Sequence, residues 1–233
     1  MNDMASSLTS ASLVYDRLRG DILRGTLRAS EKLRIDALRD RYGVGPIPLR
    51  EALNRLLSEG FVALQDRKGF YVPAVSLEEL DELTRTRCWL NEIIVRESLR
   101  AGDSQWEERV ILSSHYLGRT PRAPSMPTGI INPDWERRHR DFHVALMESC
   151  PSHWLRDYHA SLFDLADRYR HQYLSARAPV GARDVTDEHE TMREMALSRN
   201  IDGLIETYNS HIERTTAIIV NSVQDAASKV AAA

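Results

Sequence analysis

Residues 31–72 read EKLRIDALRDRYGVGPIPLREALNRLLSEGFVALQDRKGFYV. The first part predicts a short helix over residues 34–42, with Ile35, Leu38 and Tyr42 on its inner face. Gly43-Val44-Gly45-Pro46 follows as a turn, because glycine tolerates positive φ and proline cannot donate inside a helix. Pro46 and Pro48 suit the first turn of a second helix, where no backbone donor is needed. Leu49, Ala52, Leu53, Leu56 and Leu57 recur at spacings of three and four, so that helix runs to about Gly60. Two β-rich runs, residues 61–64 and 69–73, flank the polar, basic Gln65-Asp66-Arg67-Lys68. Helix, turn, helix and a basic-tipped hairpin make a winged helix-turn-helix.

Outward from this stretch the texture is helical. Upstream, Leu13, Val14, Leu18, Ile22 and Leu23 give one apolar face over residues 11–24, with Gly25 in the usual stop position. Downstream, Ser76 and Glu79 form a capping-box pattern opening a helix over 77–100. Further helices are expected from about Ser104 and over 135–150, 152–175, 184–199 and 201–223. Residues 118–133 hold four prolines and read as a connector. The expected fold is therefore mainly α, a winged helix-turn-helix followed by an antiparallel all-α bundle. The expected division is a disordered start (1–10), a DNA-binding domain (11–75), a helical metal-, effector-binding and dimerisation domain (76–225), and a loose end (226–233).

The net charge of −3 does not by itself announce nucleic acid, but its distribution is uneven. Residues 1–75 carry 12 Lys/Arg against 9 Asp/Glu, so the head is +3 and the body −6. A basic head on an acidic body suits DNA contact at one end. Cys88 and Cys150 are too few for a disulfide framework and read as buried free thiols. No apolar run approaches the ~20 residues needed to span a bilayer, and MNDMASSLTS has no secretory pattern. A cytoplasmic protein without membrane contact is expected.

The second helix of a helix-turn-helix enters the major groove with its N-terminal residues near base edges. Here those residues are Gly45, Pro46, Ile47, Leu49 and Arg50, with Arg55 further along. Arg50 can make a bidentate contact to guanine, whereas Pro46 and Ile47 offer only apolar contact. Arg67, Lys68 and the Gly69 amide would hold the wing to phosphate or minor groove. The stretch resembles the N-terminal domain of the GntR family of bacterial transcription regulators. Gly43, Val44, Pro48, Arg50, Glu51, Ala52, Leu53, Glu59, Gly60, Val62 and Gly69 carry the resemblance. The family commonly has Ser-Arg-Thr where this chain has Gly45-Pro46-Ile47. That departure moves recognition toward Arg50 and the wing.

Four of the eight histidines fall in a pattern. His139 and His143 share a helix face, and His189 and His211 lie on two later helices that can turn back on one another. Imidazoles from three helices can converge on a divalent metal. Phe142-His143-x-Ala-Leu, Glu188-His189 and His211-Ile212-Glu213 are similar to the FCD ligand-binding domain of the FadR subfamily. That resemblance implies a metal site, zinc first, with nickel or manganese as the other candidates. Many members have Asp where this chain has His139, so a four-nitrogen site is expected. The resemblance also implies a small carboxylate effector on the open metal positions, held by an arginine. Candidates are Arg85 and Arg87 on the first bundle helix, and Arg168, Tyr169 and Arg170 on a later one. It implies a homodimeric repressor on a pseudo-palindromic operator, and no catalysis. Two alternatives stand beside this: a bundle that only dimerises, with structural histidines, and a metal-dependent hydrolase with Glu188 as base.

Overall fold

The computed structural model describes residues 9–74, 76–122, 131–177 and 185–231, in two compact units divided at Ser76. The first unit holds α1 (Ser10–Leu23), α2 (Ile35–Tyr42), α3 (Pro46–Ser58), β1 (Ala63–Gln65) and β2 (Gly69–Tyr71). Thr9 caps α1 by accepting from the Ser12 amide. Gly43 closes α2 in the left-handed region at φ 67°, which a side-chain-bearing residue adopts only at a cost. α3 opens on Pro46, where its missing N–H is no loss. α1 and α2 both pack on α3 around Leu18, Ile22, Leu38, Leu49, Leu53 and Leu56.

β1 and β2 pair antiparallel with Gln65 opposite Gly69, so residues 66–68 form the wing tip. Arg67 and Gly69 have φ of 58° and 93°, which reverses the chain tightly. The Leu33 amide donates to Phe70 O (2.8 Å) and the Val72 amide to Glu31 O (3.0 Å). Residues 31–33 thus line the free edge of β2, a third extended segment that the apolar periodicity did not reveal.

The second unit is an antiparallel helical bundle: α4 (Leu77–Ala101), α5 (Ser104–Arg119), α6 (Pro133–Met147), α7 (His153–Arg177), α8 (Thr186–Leu197) and α9 (Ile201–Ala231). α4 packs on α7 and α9, α5 on α6 and α8, and α8 on α9. Its core centres on Ile94, Val95, Trp106, Phe142, Leu146, Met192, Leu204 and Tyr208. α9 continues to Ala231 instead of ending near Val223. The last stretch, QDAASKVA, consists largely of good helix formers, so nothing local stops it. The expected disordered start lies outside the described residues apart from Thr9 and Ser10, as does most of the proline-rich connector. Both cysteines are free, Cys150 buried and Cys88 half-buried. No helix among the described residues is long and apolar enough to cross a membrane.

Candidate metal centre and DNA-reading surface

α6 carries His139 and His143 one turn apart on its buried face, α8 carries His189, and α9 carries His211. All four imidazoles are buried. One ligand atom from each lies within 4.8 Å of the other three. The Nε2 atoms of His139 and His143 are 3.0 Å apart. Two nitrogens on one zinc ion sit at most ~4.2 Å apart, twice the bond length. The cluster is therefore close to metal-bound dimensions without rearrangement of the helices.

Burial comes first among the causes that push His139 and His143 far below the ordinary imidazole range, followed by the neighbouring histidines and, further down, Arg170 or Arg87. Neutral imidazole is the ligating form, so burial prepares these rings for a cation. The Nδ1 atoms of both are buried and hydrogen-bond to no atom of the described residues. His211 differs: its Nδ1–H donates to Glu188 Oε2 at 2.7 Å, leaving Nε2 as a lone-pair donor. Glu188 is held in turn by Arg214 (3.2 Å). A carboxylate behind a ligating histidine orients the ring and raises its basicity. Trp135, one turn before His139, stacks on that ring at 4.7 Å and 20°.

The sequence reading missed three of these neighbours. Trp135 stands four residues before His139, a spacing that marks a shared helix face. Tyr208 lies 5.0 Å from the His143 ring. A fifth buried histidine, His159, sits 3.4 Å from the Tyr208 hydroxyl, and burial lowers its pKa to about 3. Only tertiary packing brings it near. Asp141, two residues from His143, is exposed and points away from the cluster toward Arg138 at 3.8 Å.

The cluster opens on a cavity of about 90 Å³. Of the arginines named as effector candidates, Arg87 and Arg170 line it. Arg170 is neutralised by Asp167 (3.0 Å) and Glu136 (3.5 Å). Arg87 lies 5.6 Å over the Phe163 ring and, among the described residues, has neither ion pair nor hydrogen bond. Burial depresses its pKa, though a guanidinium stays charged. Arg85, Arg168 and Tyr169 require correction. Arg85 is exposed and paired with Asp81 at 3.3 Å, because it lies two residues from Arg87 and so faces away. Arg168 and Tyr169 are buried but do not line the cavity, and Arg168 reaches Glu79 at 3.8 Å instead. The remaining walls mix apolar side chains, Leu80, Ile131, Phe163, Val185 and Ile219 among them, with the polar or charged Thr84, Arg122, Asp167, Thr215 and Thr216.

In the first unit, Gly45, Pro46, Ile47 and Arg50 are exposed at the start of α3. Leu49, read as a base-edge residue, is 0% exposed and belongs to the core, so it cannot meet DNA. The i, i+4 packing of Leu49 with Leu53 claims it. Arg55 is committed within its own unit: its guanidinium lies 3.8 Å over Tyr15 and its Nε donates to Glu59 Oε1 at 3.2 Å. Arg67 and Lys68 project from the wing, with the Arg67 side chain 93% exposed.

Comparison with known proteins agrees with this layout. The model of the bacterial regulatory proteins of the gntR family matches residues 10–72, and that of the FCD domain matches residues 82–214. The chain is 36% identical to the HTH-type transcriptional regulator BphR of Paraburkholderia xenovorans, over 88% of this chain and 83% of that one. It is 32% identical to the HTH-type transcriptional repressor GlaR of Escherichia coli, over 88% and 93%. Escherichia coli McbR/YncC shares the fold with a TM-score of 0.76 over 92% of this chain and 99% of that one, at 20% identity. This is a family of transcription regulators and not of enzymes. The chain belongs to the GntR family, in the branch that couples a winged helix-turn-helix to an FCD domain, and is a DNA-binding transcriptional regulator.

Proposed function

We propose that this regulator is a repressor controlled by a small carboxylate that binds beside a divalent metal in the helical unit. The observation that carries the reading is the four-histidine cluster opening on the cavity that Arg87 also lines, with no ion pair or hydrogen bond of its own among the described residues. His139, His143, His189 and His211 fit a metal: they are buried, and His211 is oriented by a carboxylate. Imidazole donors suit zinc and nickel, whereas manganese favours oxygen ligands, so zinc or nickel is the expected occupant. Four neutral ligands leave the full charge of the ion in place. The bound ion would supply a Lewis-acid position for one carboxylate oxygen.

Around that position, Arg87 offers bidentate donors to the anion. Leu80, Ile131 and Val185 exclude water from the rest of the ligand. Ligand leverage equals its differential affinity for the DNA-competent and DNA-incompetent states. GlaR, named a repressor, supports the direction of control. A homodimer would place two α3 helices on a pseudo-palindromic operator. Trp89 and Ile93 on α4, and Trp154 and Tyr158 on α7, are exposed one turn apart on two packed helices and suit the dimer face. At the DNA, Arg50 would take a guanine, with Arg67, Lys68 and the Gly69 amide on the backbone.

The test combines metal analysis of purified protein with gel shifts on operator DNA in the presence of mono- and dicarboxylates. The expected result is near one zinc or nickel per chain, lost in His143→Ala and His189→Ala, and release of DNA by at least one acid. DNA binding indifferent to every acid would sink the effector half. Metal-free wild-type protein after growth with zinc and nickel would sink the metal half.

A further inference from the structure

The tip of α3 departs from what a phosphate-gripping helix start requires. A helix N-terminus holds phosphate through several free backbone amides. Here Gly45 is the N-cap with no side-chain cap bond, and Pro46 and Pro48 have no N–H to give. Ile47 is left as the single amide donor among the first three helical residues. Its side chain, meanwhile, is 78% exposed, the most exposed large hydrophobic group among the described residues. An isolated aliphatic side chain in this position adds nothing to the core of its own unit. Arg50, three residues on and on the same face, is exposed and has no hydrogen bond or ion pair among the described residues.

We infer that Ile47 is a specificity-determining residue that packs on the 5-methyl group of an operator thymine, close to the guanine read by Arg50. The inference rests on the family's DNA binding and on the Arg50 contact proposed above, and is independent of metal and effector. In the major groove the thymine methyl is the only apolar feature that distinguishes one base from another. Isoleucine is branched at Cβ and stiff at χ1, so it presents its methyl groups with little freedom to lose. Pro46 and Pro48 fix φ on both sides, which stiffens the tip further. Successive helical residues rise 1.5 Å, so Ile47 and Arg50 are ~4.5 Å apart along the axis. Base pairs are stacked ~3.4 Å apart, and the thymine therefore falls within about two base pairs of the guanine.

The test begins with selection of duplexes from a random pool by the full-length protein. Each thymine of the selected site is then replaced singly by deoxyuridine, which removes the methyl group and nothing else. One thymine per half-site, within two base pairs of the guanine that Arg50→Ala ceases to discriminate, should weaken binding about three- to fivefold on losing its methyl. Ile47→Ala should bind thymine and uracil duplexes equally, and Ile47→Val should keep the discrimination. Ile47 is too exposed for either change to threaten folding, and circular dichroism of both variants checks this. Indifference to deoxyuridine at every position, or discrimination retained by Ile47→Ala, overturns the inference. Guanine discrimination lost in Arg50→Ala without any uracil effect overturns the Ile47 role alone and leaves the Arg50 contact standing.

Discussion

Glu188→Ala separates orientation of the histidines from ligation, because all four imidazoles remain. Wild-type Glu188 accepts from His211 Nδ1–H at 2.7 Å, and the two side chains are only 16% and 9% exposed. Loss of the carboxylate leaves that N–H without its acceptor and the ring free to change tautomer or rotate. Removing such a carboxylate behind a metal ligand costs ~10–100-fold in affinity, or about 1.4–2.8 kcal/mol. Shielding from solvent at this pair places the expectation in the upper half of that range. Arg214 provides the control. It touches the other Glu188 oxygen at 3.2 Å from a side chain that is 62% exposed, so Arg214→Ala should cost about twofold or less. Zinc competition against a chromophoric chelator at pH 7 measures both, with circular dichroism confirming the fold. The double variant should be no weaker than Glu188→Ala. Zinc held by Glu188→Ala as tightly as by wild type, within twofold, refutes the assigned role of Glu188.

Three further outcomes are expected. Leu49→Ala should destabilise the first unit by ~2–5 kcal/mol in urea unfolding, while Ile47→Ala should change it by less than ~0.5 kcal/mol; similar costs would contradict the burial of one and exposure of the other. Arg87→Met should abolish any carboxylate-induced thermal shift and leave effector-free DNA binding intact, with an unchanged or raised Tm because a half-buried cation with no ion pair among the described residues is gone; a full carboxylate response would exclude Arg87 as anchor. For Asp21, burial raises the pKa, but the hydrogen bonds from Tyr42 and Arg24 and the charges of Arg41 and Arg24 outweigh it and lower the net value. A depressed carboxyl pKa stabilises above the ordinary value near ~3.9 and loses that contribution as pH falls through the folded value. The stability gap between wild type and Asp21→Asn should therefore narrow as pH drops from 6 to 3, as urea titrations can show; a constant gap would place the stabilisation elsewhere.

Local chemistry determined much of this protein from its sequence. Leu49, Leu53 and Leu56 announce the buried face of α3 because a helix repeats every 3.6 residues. The glycines and prolines at 43–48 announce the turn because few residues tolerate its dihedral angles. His139 and His143 declare a shared face for the same periodic reason. Their convergence with His189 and His211 was legible as a pattern, since antiparallel helices bring distant residues level. Tertiary structure alone decided which neighbours complete the site. Arg85 and Arg87 are equivalent in composition, and only the packing of α4 turns one to Asp81 and the other to the cavity. Arg170 looks like an anchor until Asp167 and Glu136 are seen to neutralise it. Leu49 looked like a reader by its position at the helix start, yet the core claims it and leaves Ile47 and Arg50 outside. Periodicity states which residues share a face, but charge partners and exposure come from elements far away in the chain, and those are set only when the chain folds.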